Sequence, residues 1–253
     1  MDFVLSWEML LILFGIAMLA GFIDTLAGGG GLITVPVLLL SGLPPIQALA
    51  TNKIQSSFGT MVATLNMFRG RLIKLENIRL PFIMSLIGAA LGTLLVQQLN
   101  VAVLDIVIPI VLVLIGLYFL LVKGAGAVER KPRMAEKPFN TTVVPVIGFY
   151  DGLFGPGTGS FFSLANVALR GEKIVQATAK AKAFNFASNI ASAVVFMLGG
   201  KVVWSVGIAM MIGQVIGATI GSKVMVSHGA RLIRPIIVAV CFLMVIRYLW
   251  DKF

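Results

Sequence analysis

Apolar residues run in long blocks along this chain, broken by short polar or glycine-rich interruptions. The blocks predict ten segments: 6–26, 32–41, 46–67, 80–99, 102–122, 141–154, 160–169, 174–198, 202–226 and 231–249. A helix crossing the hydrocarbon core of a bilayer takes about 20 residues at 1.5 Å each. Two blocks fall well short of that. Segments 32–41 and 160–169 each cover only about 15 Å, and each follows directly on a glycine cluster. The alternation expected of a transmembrane β-barrel is absent. The pattern predicts an all-α polytopic membrane protein.

Charge placement sharpens this reading. Only 12% of the 253 residues are charged and 58% are hydrophobic, with a mean hydropathy of +1.01; about 25% charge is usual for a soluble domain. No charged residue occurs in 25–52, 80–104 or 202–222. The first apolar run follows Asp2 and Glu8 rather than lysines, so it does not read as a secretory signal. The net charge of +10 does not point to nucleic acid, because the positive residues gather in two connecting segments, 69–79 and 123–137. Basic connections of this kind face the cytoplasm. The lone Cys241 excludes a disulfide within the chain, and His228 falls in an expected turn, "SHGAR". No metal-ligand spacing, cofactor motif or nucleophile–base set is visible, so neither a metal nor a cofactor is expected.

The chain repeats itself. "GFIDTLAGGGG" (21–31) returns as "GFYDGLFGPGTG" (148–159), which pairs Asp24 with Asp151, Gly28 with Gly155 and Gly30 with Gly157. "QALATNK" (47–53) returns as "QATAKAK" (176–182), "GAALGT" (88–93) as "GQVIGA" (213–218), and Pro109 as Pro235, all at offsets of 125–129. This divides the chain into a first transmembrane repeat 1–122, a basic cytoplasmic linker 123–140 and a second repeat 141–253. The turns 170–173 and 227–234 are basic, whereas the matching turns of the first half, 41–45 and 98–100, are uncharged. The halves are therefore expected in inverted topology, each a glycine-broken short helix pair plus three transmembrane helices, with both termini external. Whether each short pair is a re-entrant hairpin or two full crossings is left open.

Glycine costs roughly 1 kcal/mol against alanine inside a helix, so two glycine clusters at membrane depth need a reason. Broken short helices at matching positions of inverted halves mark a transporter's binding site near the midplane. Their N-termini present free N–H groups and the positive end of the helix dipole to an anion. The alternative is that the glycines only let helices pack closely. Lys53 and Lys182 lie deep in their segments, and a charge at that depth is a functional candidate by default. The plainer alternative is an ion pair with Asp24 or Asp151. Asn52, Gln55, Asn185 and Asn189 add neutral donors on the same segments, while Lys180, nearer an end, is expected to reach towards the surface. Asp151 is expected to feel both Lys180 and Lys182.

"GFIDTLAGGGG…P…ALATNK" together with "GFYDGLFGPGTGS" resembles the sulfite exporter TauE/SafE family, most closely its YfcA-like branch, over essentially the whole chain. The resemblance implies a bacterial inner-membrane permease for sulfite, sulfoacetate or related organosulfonates, with export the commoner direction. Where the first half has Thr51-Asn52-Lys53, the second has Lys180-Ala181-Lys182, so an asymmetric site is expected. The expected function is secondary-active transport of a small sulfur-containing anion rather than catalysis. Substrate-binding candidates are Gly29, Gly30, Gly31, Asn52, Lys53, Gln55, Gly157, Thr158, Gly159, Lys182 and Asn185. Asp24 and Asp151 are candidates for proton coupling. An uncoupled anion channel is the competing expectation. The partners implied are the small anion and the bilayer, without nucleic acid, and a homo-oligomer is compatible with the pattern.

Overall fold

The computed structural model describes residues 6–99 and 131–228, and for 226–228 the helical backbone alone. Segments 102–122 and 231–249, most of the linker, the C-terminus, Cys241, Pro109 and Pro235 lie outside the described residues. The elements are α1 (Trp7–Ala27), α2 (Gly30–Leu40), α3 (Pro45–Arg69), α4 (Arg79–Val96), α5 (Val144–Leu153), α6 (Thr158–Arg170), α7 (Ile174–Leu198) and α8 (Trp204–His228). A helical lead-in, Glu136–Pro138 and the π-turn Phe139–Val143, runs straight into α5. The expected segments and these helices agree to within a few residues. One correction is that α8 takes in His228, which was expected in a turn.

Among the described residues, four helices are long and apolar enough to cross a membrane: Trp7–Ala27, Arg79–Val96, Ile174–Leu198 and Trp204–Met225. Helix α3 has the length but carries Asn52, Lys53, Gln55, Ser56 and Ser57 in one run. That polarity is affordable only because its middle is buried in protein rather than facing lipid. The outward faces are apolar. Ile208, Ile212, Ile216 and Ile220 form one exposed ridge along α8, and Ile83, Ile87, Leu91 and Leu94 another along α4.

The basic turns collect at one end of the bundle. The N–H groups of Arg133 and Met134 bond the Leu169 carbonyl at 2.8 and 3.0 Å. The Arg170 guanidinium donates to the Met134 carbonyl. Ile73, Ile78, Phe139, Ile174 and Met225 share one core cluster there. At the other end Leu13, Leu43 and Val206 cluster with Met9 and Val203. Helix α2 closes back on that second end, with Leu38 and Leu39 packed in the cluster that holds Met9 and Leu10. Helix α6 closes back on the basic end, where α5 began. Each short helix thus completes a hairpin inside the bundle.

The long contacts cross between the halves. Helix α1 packs chiefly on α8 and α4 chiefly on α5, while α3 packs on α7 and α8 and α4 on α7. Small residues set the two closest crossings. A Cβ on Gly213 or Gly217 would overlap the Phe14 or Met18 carbonyl of α1, and one on Gly88 or Gly92 would overlap the Pro145 or Phe149 carbonyl of α5. The repeated "GAALGT" and "GQVIGA" are therefore helix-packing motifs, where missing side chains let backbones approach.

Candidate functional site

Helix α1 stops because Gly28 takes a left-handed conformation, φ 81°, and its N–H caps back to the Asp24 carbonyl at 2.6 Å. Two residues later α2 starts. Asp24, in the last turn of α1, also reaches that new helix: its Oδ1 accepts the Gly30 N–H at 3.1 Å. A carboxylate that would be unfavourable at a helix C-terminus is stabilised by the N-terminus of the next one. In the second half α5 ends at Leu153, the chain turns through Gly155 and Gly157, both with positive φ, and α6 begins at Thr158. Tyr150 holds this turn by donating its hydroxyl to the Pro156 carbonyl at 2.6 Å.

The two turns meet tip to tip. The Ser160 N–H bonds the Gly28 carbonyl at 3.3 Å, and the Ser160 hydroxyl donates to the Ala27 carbonyl. No side chain separates the chains there, since a Cβ on Gly28 would overlap the Ser160 nitrogen. The glycines here both break the helices and permit the contact.

Two ion pairs flank the crossing, and each joins one half to the other. Lys53 of α3 lies 2.7 Å from Asp151 Oδ1, with both side chains 1% exposed. Lys182 of α7 lies 3.2 Å from Asp24 Oδ2, with exposures of 0% and 13%, and also donates to the Asp24 carbonyl. This corrects the expectation for Asp151. Its partner is Lys53, not Lys182, and Lys180 turns away to Glu172 at 2.5 Å.

Between these pairs lies a void of about 10 Å³, room for about one water. Asp24, Gly31, Asn52, Asp151, Gly157, Gly159 and Asn185, all singled out from sequence, line it; so do Gly28, Ser56, Gly155 and Asn189. Asn52 accepts from Thr34 at 2.6 Å and from Gln55 at 2.9 Å through Oδ1. Asn185 Oδ1 accepts from Asn189 at 3.2 Å, and Asn189 Oδ1 accepts from Lys53 at 3.3 Å. With those oxygens engaged, the amide nitrogens of Asn52 and Asn185 are the groups left for the void. Asp151 Oδ2 is buried with no hydrogen-bond partner among the described residues.

Gly30, Gln55 and Thr158 support this shell without lining it, and Gly29 does not line it either. Gly30 serves Asp24, Gln55 serves Asn52, and Thr158 donates to the Gly155 carbonyl at 2.7 Å. Ser56 was missed, although the repeat signals it: it stands three residues after Lys53, as Asn185 stands three after Lys182. Among the described residues no group of three or more His, Cys, Asp or Glu is placed to hold a metal.

The family model described as "Sulfite exporter TauE/SafE" matches residues 13–248. The chain belongs to the TauE/SafE family. It is 45% identical over 245 residues to a "Probable membrane transporter protein" of Haemophilus influenzae, covering 97% of this chain and 96% of that one. It is also 45% identical over 250 residues to the "Probable membrane transporter protein YfcA" of Escherichia coli K12, covering 99% and 93%. A "Probable membrane transporter protein YunE" of Bacillus subtilis is 24% identical over 238 residues, covering 84% and 87%. No solved structure matches. With its apolar helices, this member of the TauE/SafE transporter family is a multi-pass membrane protein.

Proposed function

We propose that this TauE/SafE protein is a secondary carrier that exports a small sulfur-containing oxyanion, sulfite or an organosulfonate, across a bacterial inner membrane. Two halves of inverted topology, 1–122 and 141–253, form it, and both termini are external. The observation that carries the reading is the pair of crossed Lys–Asp contacts at the touching hairpin tips. Buried charges at membrane depth are costly and mark transport pathways, and broken helices of paired repeats mark the midplane site. The exchange pattern of the packing supports two equivalent halves, with α1 on α8 mirroring α5 on α4, and inversion is supported by α3 ending where α7 begins, at the cluster of Ile73 and Ile174. A void of one water's size cannot hold a sulfur oxyanion, so the cycle includes a step in which an ion pair opens. Asp24 and Asp151 are the carboxylates that gain or lose a proton as it does.

Reconstituted protein in proteoliposomes tests this with radiolabelled sulfite. Flux saturates and sulfite accumulates in response to a pH gradient. Asp151→Asn keeps sulfite exchange but loses pH-driven accumulation; linear, uncoupled flux would instead assign a channel. In a Cys241→Ser background, cysteines placed at Lys74 and Glu136 react with an impermeant maleimide only from the cytoplasmic face, and one at Lys201 only from outside. Labelling of all three from one face would overturn the orientation.

A further inference from the structure

We infer that the Asp24 carboxylate is a tethered stand-in for the transported anion, which takes its place on the Gly30 N–H and Lys182. The inference rests on the carrier reading and extends it to the position the anion occupies. The two Asp24 oxygens divide two donors: Oδ1 takes the Gly30 N–H at the start of α2, and Oδ2 takes the Lys182 ammonium. A helix N-terminus plus a buried lysine is the donor set that holds an anion. A sulfonate, sulfite or carboxylate can present two oxygens to the same two donors.

Three further observations favour displacement here. Lys182 is also held by the Asp24 backbone carbonyl, so the ammonium has an anchor that does not leave when the carboxylate does. Asp24 is the most exposed of the four paired groups, at 13% against 0–1%, and it lines the void. In the second half, by contrast, the Ser160 N–H near the start of α6 is taken by the Gly28 carbonyl. Independently, Asp151 lines the same void, and its Oδ2 is buried without a donor among the described residues. A ligand bearing an O–H, such as a protonated oxyanion, satisfies it.

The test uses the full-length protein in detergent, with formate as the smallest two-oxygen probe and sulfite as the second. Asp24→Ala vacates the position. Its melting temperature is expected to rise saturably with formate and with sulfite, at half-saturating concentrations at least tenfold below any wild-type response, and not with chloride at equal ionic strength. Adding Lys182→Met erases the effect. An Asp24→Ala protein indifferent to both probes, or a wild type equally responsive, overturns the inference. If Asp24→Ala does not fold, near-isosteric Asp24→Asn serves: sulfite binding tightens tenfold or more, and unchanged or weaker binding overturns the inference. The two readings fail separately. Formate rescue without wild-type sulfite transport defeats the carrier reading alone, and transport without rescue defeats the stand-in alone.

Discussion

Lys53→Met is expected to abolish anion binding and to cost about 3–5 kcal/mol of stability, the usual penalty for removing one partner of a buried pair. Methionine keeps the length and apolar packing of the lysine stem, so the loss isolates the charge. It leaves the Asp151 carboxylate, 1% exposed, with no cation beside Oδ1 and no donor on Oδ2. Lys53→Met/Asp151→Asn removes both charges and is expected to regain most of the stability, since replacing a whole buried pair is far milder than breaking it. It does not regain binding. Lys182→Met is expected to be less destabilising, because Asp24 keeps its Gly30 N–H and is partly open to solvent. Thermal unfolding and sulfite binding measured on all three variants check this. A Lys53→Met protein as stable as wild type would deny the pair its role, and binding by the double variant would deny the lysine its ligand role.

The second large effect lies in the glycine run, and it separates two neighbouring positions. Gly28→Ala is expected to abolish transport and to destabilise severely. The residue sits at φ 81°, where a side chain costs about 1–2 kcal/mol, and its new Cβ would overlap the Ser160 nitrogen and the Gly159 carbonyl carbon. Both obstacles are backbone of the opposing hairpin, so no rotamer change relieves them. The neighbouring Gly29→Ala meets only the Leu32 Cδ1 atom, at 3.3 Å, and is expected to stay within about 0.5 kcal/mol of wild type. Transport rates and melting temperatures of the two variants give the comparison. Equal damage at both positions would mean that the run works through its backbone flexibility rather than through one contact.

The spans were legible because each is a long apolar block between charges, and helix ends such as 45–69 and 174–198 follow from where those blocks stop. The depth of Lys53, Lys182, Asp24 and Asp151 was legible for the same reason. An ion pair of these lysines with Asp24 or Asp151 was legible too, but which lysine meets which carboxylate was not. Chain position places Asp151 nearest the second-half lysines, but the hairpin tips cross, and the crossing hands each carboxylate to the lysine of the other half. Gly28 was hidden among four identical letters, since only the conformation shows which one turns left-handed. Ser56 was hidden by ordinary chemistry, a hydroxyl that many helices carry without consequence.

The crossed pairing also gives the protein a schedule. Lys182 is made 158 residues after Asp24, a delay of about 8–30 s at roughly 5–20 residues per second. Throughout that interval the first hairpin waits with its carboxylate held only by the start of α2. The Gly28 carbonyl waits as well, because Ser160 has not yet been made. Ribosomal order thus makes the second half the chaperone of the first, and a truncated chain ending before α7 is left with an unmatched charge at its centre.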